Sequence, residues 1–337
     1  MRLKKYVFFS FVLMLLVGGF VYSQIDSNYT FEIFGVPISL PVAVWIVIPM
    51  FLMFLASFFH MAYYSFKNFM VLKKYRKDYE TLVDSVSLAL LREPKSHNYK
   101  TQEGRNLGVV SDNSEMIPRD YKLPVKDERI KRSLEYIKDI SNGIYVELEG
   151  VNLSPQNPLL VKNIQNRLKD EPTYSGVVLK KCDEFPKDLC KEALRTYISI
   201  SGDVSKLKEY VKLFDKETLC YLIDEAKKED RNLELSVSDL VYFIEHMKDR
   251  FDVRDYIELA RKVKDLFGPD ERLELFERLK ALDEKAEGGY LYTLFDLEMI
   301  ERAKEFLETT HEDEWQNFKA YLELKECGRN YSLDLFV

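Results

Sequence analysis

Two uncharged apolar runs near the N-terminus constrain this chain more than any other feature. Tyr6 to Tyr22 reads YVFFSFVLMLLVGGFVY, and Val42 to Tyr64 reads VAVWIVIPMFLMFLASFFHMAYY. A helix needs about 20 apolar residues to cross the hydrocarbon core of a bilayer. The second run exceeds that length, and the first sits at the short end of the range. Backbone polar groups find no water in hydrocarbon, so each run is expected to be helical. Pro49 lies inside the second run and is expected to kink it.

Basic residues give the orientation. Arg2, Lys4 and Lys5 precede the first run, and Lys67, Lys73, Lys74, Arg76 and Lys77 follow the second. Between Ser23 and Pro41 there is no Lys or Arg. Positive charge stays on the cytoplasmic side, so both termini are expected inside, with a short loop outside. Tyr22, Tyr29, Trp45, Tyr63 and Tyr64 flank the runs as interfacial anchors do. The competing reading of the first run is a cleaved signal peptide, with a basic start, an apolar middle and small Ser23 after Val21-Tyr22. The second run alone would still keep the following residues on the cytoplasmic side. His60 falls only a few residues before Lys67 and is expected at the headgroups, outside any proton relay.

Charge is unevenly spread. Residues 1–80 hold eight Lys/Arg and four Asp/Glu, a net +4 against a whole-chain −7, which leaves −11 for the rest. An acidic remainder argues against a nucleic-acid partner, which needs clustered Lys and Arg. The basic part lies where anionic headgroups meet it.

The stretch between the runs is Tyr29-Thr-Phe-Glu-Ile-Phe-Gly-Val-Pro-Ile-Ser-Leu-Pro41. It alternates apolar and polar residues, turns at Gly35, and enters the second run through Leu40-Pro41. This pattern resembles the lipopolysaccharide assembly protein A family of small bacterial inner-membrane proteins. In that family a first span leads to a short strand-like periplasmic stretch, a Leu-Pro pair opening the second span, and a basic cytoplasmic helix. Phe31 to Phe34 match the strand, Gly35 the glycine, Leu40-Pro41 the pair, and Lys67 to Leu91 the helix. The resemblance covers about a quarter of the chain. Family members usually stop soon after the basic helix, whereas this chain runs on. The resemblance implies an inner-membrane role in envelope assembly or its regulation, exerted through other proteins.

Below the second run, Leu72, Tyr75, Tyr79, Leu82, Val86 and Ala89 recur at spacings of three and four, a heptad seam. Two readings stand: a parallel homodimer along Leu72, Tyr75, Tyr79, Leu82 and Val86, or one amphipathic helix packed on its own chain or on the bilayer. Residues 92–124 are polar with little periodicity and read as a linker; His97 lies there without companion ligands. From Val125 helical patterning returns. GIYVELEGV, Gly143 to Val151, alternates as a strand does, and Tyr174 to Leu179 is a second candidate. Asn157-Pro158 has the form of an N-cap and first-turn proline. Helices are expected at Pro186–Ile200, Val204–Phe214, Lys216–Lys228, Ser238–Phe251, Arg254–Phe267, Pro269–Ala286, Leu297–Leu307 and Asp313–Cys327. Gly202, Gly268, Gly288-Gly289 and Gly328 are read as stops. A 34-residue tetratricopeptide pattern does not recur.

No motif for catalysis, metal or cofactor stands out. Glu312-Asp313-Glu314 after His311 reads as acids at a helix start. Gly288-Gly289-Tyr290 lacks the Lys of a phosphate loop. His246 reads as a surface residue beside an apolar stripe. Cys182, Cys190, Cys220 and Cys327 form no C-x-x-C pair and are expected as free thiols. The expected fold is therefore mainly α, with a two-helix transmembrane hairpin (1–66), a juxtamembrane amphipathic helix (67–91), a linker (92–124) and a cytoplasmic helical domain (125–337). That domain is expected as a solenoid-like array or irregular bundle with a small strand pair. The expected function is a membrane-anchored adaptor that recruits cytoplasmic proteins. The alternatives are a membrane-associated enzyme and a dimeric sensor.

Overall fold

A computed structural model describes residues 2–33, 36–93, 95–228, 230 and 233–337. The chain is mainly helical and divides into two compact units, Met1–Ser133 and Leu134–Val337.

In the first unit, α1 (Arg2–Gln24) and α2 (Val42–Leu90) carry the two apolar runs. Between them β1 (Asn28–Ile33) and β2 (Val36–Pro41) pair antiparallel, with Tyr29 opposite Leu40 and Phe31 opposite Ile38. The expected turn at Phe34-Gly35 lies outside the described residues. Trp45 joins this hairpin to α2: its indole N–H donates to the Tyr29 carbonyl at 3.0 Å, and its ring lies 5.5 Å from that of Phe31. Helices α1 and α2 pack along each other, with Tyr6 stacked on Phe54 at 5.9 Å. Helix α2 passes through Pro49 and has 49 residues in all, roughly 70 Å at 1.5 Å per residue. One helix thus joins the second apolar run to the basic heptad segment.

The stretch expected as a linker folds back on α2 and contains α3 (Gln102–Asp112). Two buried aspartates hold it. Asp78 on α2 accepts from the backbone N–H groups of Lys100 and Thr101 at 2.7 and 2.6 Å and from the Thr101 hydroxyl at 2.6 Å. Thr101 in turn caps α3 through Gly104 N–H at 3.1 Å. Gly108 has no freedom to be anything larger: a Cβ there would lie 2.0 Å from the Tyr99 ring. α4 (Glu128–Ser141) begins within the first unit. Its first half docks on α2 through Arg129–Asp84 at 2.7 Å and Ser133–Ser87 at 2.7 Å.

In the second unit, Asn157 caps α5 (Pro158–Asp170) by accepting from Leu159 N–H at 2.9 Å, with Pro158 at the first position. Then follow α6 (Ser175–Leu179), α7 (Lys187–Ile200), α8 (Val204–Lys208), α9 (Lys216–Ala226), α10 (Val237–Glu245), α11 (Val253–Lys262), α12 (Pro269–Leu282), α13 (Glu287–Asp296), α14 (Ile300–Glu308) and α15 (Gln316–Glu326). α5 packs on α7, α7 on α9, α9 on α11 and α11 on α13, while α10 packs on α12. Contacts between alternate helices are what stacked helical hairpins produce. Leu189, Leu222, Phe243, Tyr256, Phe276, Leu291 and Phe318 fill the core.

The strand pair expected at 143–151 and 174–179 is not there; the only sheet among the described residues is β1–β2. The amide of Asn163 replaces a partner strand, since its Oδ1 accepts from Val146 N–H at 3.0 Å and its Nδ2 donates to Val146 C=O at 2.7 Å. Asn166 donates to the carbonyls of Ile140 and Ile144 at 2.9 and 3.2 Å. An extended segment paired to side chains needs no neighbouring strand. Residues 175–179 form α6, fed by a 3₁₀ turn, Pro172–Tyr174. Gly288-Gly289 is not a stop but the first turn of α13. A Cβ on Gly289 would meet the Phe276 ring at 2.5 Å and the Tyr256 carbonyl at 2.8 Å, so the glycines allow α13 to approach α11 and α12.

A local signal recurs where the helices begin. Phe214-Asp215, Phe251-Asp252 and Phe267-Gly268 each place a buried Phe immediately before an N-cap. Asp215 caps Thr218 N–H at 2.9 Å, and Asp252 and Asp255 form a reciprocal capping box. Phe251 rests on Tyr256, 5.2 Å between ring centres, as a hydrophobic staple.

Candidate functional site

Three places combine shape with chemistry. The first is the α1–α2 hairpin. Only 6% of the most apolar window of either helix is buried, and both helices are long and apolar enough to cross a membrane. Tyr6 is stacked inside the hairpin; Tyr22 and Tyr64 are exposed; Val42 begins α2, and its N–H donates to Ser27 C=O at 3.2 Å. The His60 ring lies 4.7 Å from that of Tyr64.

The second is a buried polar cluster between α2 and α3. Asp112 accepts from His97 through the backbone N–H at 2.9 Å and ring Nδ1 at 2.7 Å, and from Tyr99 Oη at 3.1 Å. His97 thus has a close partner that its position in a polar stretch gave no sign of. Burial pushes the Asp112 carboxyl up, but Ser85, His97 and Tyr99 outweigh it, and its pKa lies below the usual carboxylate range. The Ser85 hydroxyl acts from outside hydrogen-bond geometry and is buried without a bonded partner. Asp78 is held down likewise: burial opposes, while the Thr101 hydroxyl and the N–H groups of Lys100 and Thr101 prevail. A Ser, a His and an Asp meet here, yet the Ser faces the Asp and Tyr99 rather than bonding the imidazole, so no nucleophile–base pair forms. The cluster pins 97–112 onto α2.

On the same helix, the heptad residues behave differently along its length. Leu72, Tyr75 and Tyr79 are exposed, Leu72 by 68%, whereas Leu82 and Val86 are half-buried within the chain's own packing.

The third is a groove of about 380 Å³ in the second unit, lined by Val253, Glu284, Lys285, Glu287, Glu314 and Trp315. Trp315 stands at the N-cap of α15 with φ of 54°, a left-handed conformation costly for a bulky side chain. Its six-membered ring covers Gly288, where a Cβ would lie 3.1 Å away. Gly288, read as part of a stop, lies under the tryptophan that walls the groove, and Glu314, read as a helix-start acid, lines it. Glu314 accepts from His311 N–H at 3.1 Å, while Glu312 and Asp313 are exposed. Burial lifts the Glu287 carboxyl above its ordinary value, with the Trp315 indole N–H opposing and Glu284 adding to the rise.

The cysteines correct an expectation. Cys182, just after α6, and Cys190, in the first turn of α7, are joined as a disulfide with Cα atoms 5.7 Å apart. The bend between these helices brings them together, and no C-x-x-C spacing announces it. Cys220 and Cys327 are free, and burial pushes the Cys220 thiol up. His246 is exposed, and its Nδ1 bonds the Tyr242 carbonyl at 2.8 Å. Among the described residues, no three His, Cys, Asp or Glu side chains converge as metal ligands do.

Set against known proteins, the chain matches no family model, no curated protein and no solved structure.

Proposed function

We propose that this protein is a membrane-anchored adaptor whose acidic helical unit gathers protein partners at the cytoplasmic face of a membrane. The observation that carries this reading is the continuity of α2. One helix begins as an exposed apolar rod, passes Lys67, Lys73, Lys74, Arg76 and Lys77, and ends in a packed polar cluster. An exposed apolar rod is stable only in an apolar solvent or against a partner. The basic residues suit anionic headgroups and keep their flank inside. On this reading α1 and α2 span the bilayer, both termini are cytoplasmic, β1–β2 lies outside, and the adjacent Cys182 and Cys190 face a reducing compartment in which the dithiol form is expected. The likeness of residues 29–91 to the lipopolysaccharide assembly protein A family supports placing this role in bacterial envelope assembly.

Topology and recruitment are both testable. A cysteine replacing Ser27 should react with a membrane-impermeant maleimide from outside, while one replacing Ser96 should react only after permeabilisation. The reverse pattern removes the cytoplasmic reading. Capture of tagged full-length protein in mild detergent, against a version ending at Leu91, should yield partners that require residues 92–337. If the two captures are identical, the adaptor reading fails.

The exposed Leu72, Tyr75 and Tyr79 support a second reading, a homodimeric sensor joined along α2. Cysteine at position 72 should then cross-link between copies.

A further inference from the structure

We propose that the Trp315 groove is a receptor for a single arginine side chain presented by a basic segment of a partner protein. This rests on the adaptor reading and gives its partner a chemistry.

The warrant begins with a contrast among the half-buried carboxylates of this unit. Asp215 has Lys191 at 2.7 Å, Asp239 has Lys208 at 2.6 Å, and Asp296 has Arg272 at 2.6 Å with Lys264 beside it. Glu287 is also half-buried, yet no cation pairs with it among the described residues, and none pairs with Glu284 or Glu314. Two ammonium groups act on this groove, Lys285 from its lining and Lys280 from further off, and neither bonds one of its carboxylates. Lys285 lines the groove but donates to the Phe251 carbonyl at 3.2 Å. Lys280 lies over the rings of Tyr290 and Phe306, at 4.3 and 4.7 Å. The groove therefore sets three carboxylates, Glu284, Glu287 and Glu314, against one lining ammonium, Lys285, and keeps a net negative rim.

Its other wall is aromatic. Trp315 is half-buried, packed over Gly288 on one side and next to the open groove on the other. Indole is the most favourable aromatic face for a cation. Val253 adds an aliphatic surface for a methylene stem. A guanidinium fits these features together, since it is planar, stacks on an aromatic face and offers a fork of donors to carboxylates. An ammonium would use the charge but not the stacking. The volume, about 380 Å³, holds a side chain and is small for a folded element.

The test uses the full-length protein in a neutral maltoside detergent, so that lipid charge binds no peptide. The probe is a fluorescein-labelled dodecapeptide alternating Gly and Arg, read by anisotropy, with lysine and citrulline twins. The expected result is saturable binding of the arginine peptide and none of the citrulline twin. W315A and E287Q should each weaken it about tenfold, the effect of one desolvated cation–π or charged contact. The paired E147Q/E149Q change, at exposed acids of the same unit, should leave it unchanged. E287Q preserves side-chain shape, so the proposal stays testable if W315A disturbs folding. Equal weakening by E147Q/E149Q, tighter binding of the lysine twin, or no saturable binding would each overturn the proposal. Failure of the adaptor reading is separable from this. If the peptide binds but full-length capture yields nothing, the groove stands and the adaptor fails. If W315A still captures every partner of the unmodified protein, the groove proposal fails and the adaptor stands.

Discussion

The α1–α2 hairpin and the helical unit at Leu134–Val337 are built from similar side chains turned in opposite directions. Phe8 and Phe59 on the hairpin are 64% and 65% exposed, whereas Phe243 and Phe276 in the second unit are wholly enclosed. The difference teaches that helix content says little about where a helix belongs. Helices of the second unit such as α7 and α11 place charge on one face and bury the other, while α13 is enclosed all round from Gly288 to Phe295. The hairpin has no polar face over its apolar length, so only its surroundings can cover it.

Breaking this comparison starts with paired truncations. Phe276→Ala should lower the unfolding free energy of the second unit by about 3–5 kcal/mol, measured by chemical denaturation in detergent. Phe59→Ala should leave that transition unchanged while weakening retention in membranes. An equal loss of stability from both would erase the distinction. A smaller effect tests the polar join on α2. Asp112→Ala strands the donors of His97 and Tyr99 and should cost about 1–3 kcal/mol. Hydrogen exchange should rise across 95–112 and not in α11–α13; unchanged protection would show that the cluster does not hold the segment.

The pH response sharpens the comparison further, through Asp215 in the second unit. Asp215, bonded to Lys191 and Thr218, is lowered to about 2 against burial that pushes it up. Its folded value is depressed, so its stabilisation is complete above the ordinary carboxylate range and is lost as pH falls toward about 2. The loss should be about 2 kcal/mol, and Asp215→Asn should remove that slope. A slope that persists in Asp215→Asn would assign it to other groups. The smallest effect is expected at Arg76–Glu80, an exposed pair at 3.6 Å on α2. Glu80→Gln should change no measured stability, since exposed pairs contribute little.

Much of the fold was legible because local chemistry dictates it. The apolar runs, the cap at Asn157 and the helix starts near Lys187, Lys216 and Pro269 need only neighbouring residues for their explanation. The Phe-Asp pairs at 214 and 251 also stand in the sequence, a local signal that the expected helix bounds did not use. What could not be read locally is instructive. GIYVELEGV has a strand's alternation, but two asparagines far along the chain took the place of a strand. Gly288-Gly289 has the look of a terminus, but a close approach of Phe276 and Tyr256 required glycine within a helix. His97 and Asp112 lie fifteen positions apart in an unpatterned stretch, and only the fold-back on α2 makes them partners.

By itself, the sequence determined that the chain has two apolar helices with a strand-forming stretch between them, a basic flank and a long acidic helical remainder. These follow from side-chain hydrophobicity, period and charge, which act within a few residues. Only the tertiary structure decided which polar groups are paired, and hence which are left over. Asp78, Asp112 and Asp215 found partners, and Glu287 found a tryptophan but, among the described residues, no ion pair. Pairing depends on distances between segments remote in sequence, and that information exists only once the chain has folded.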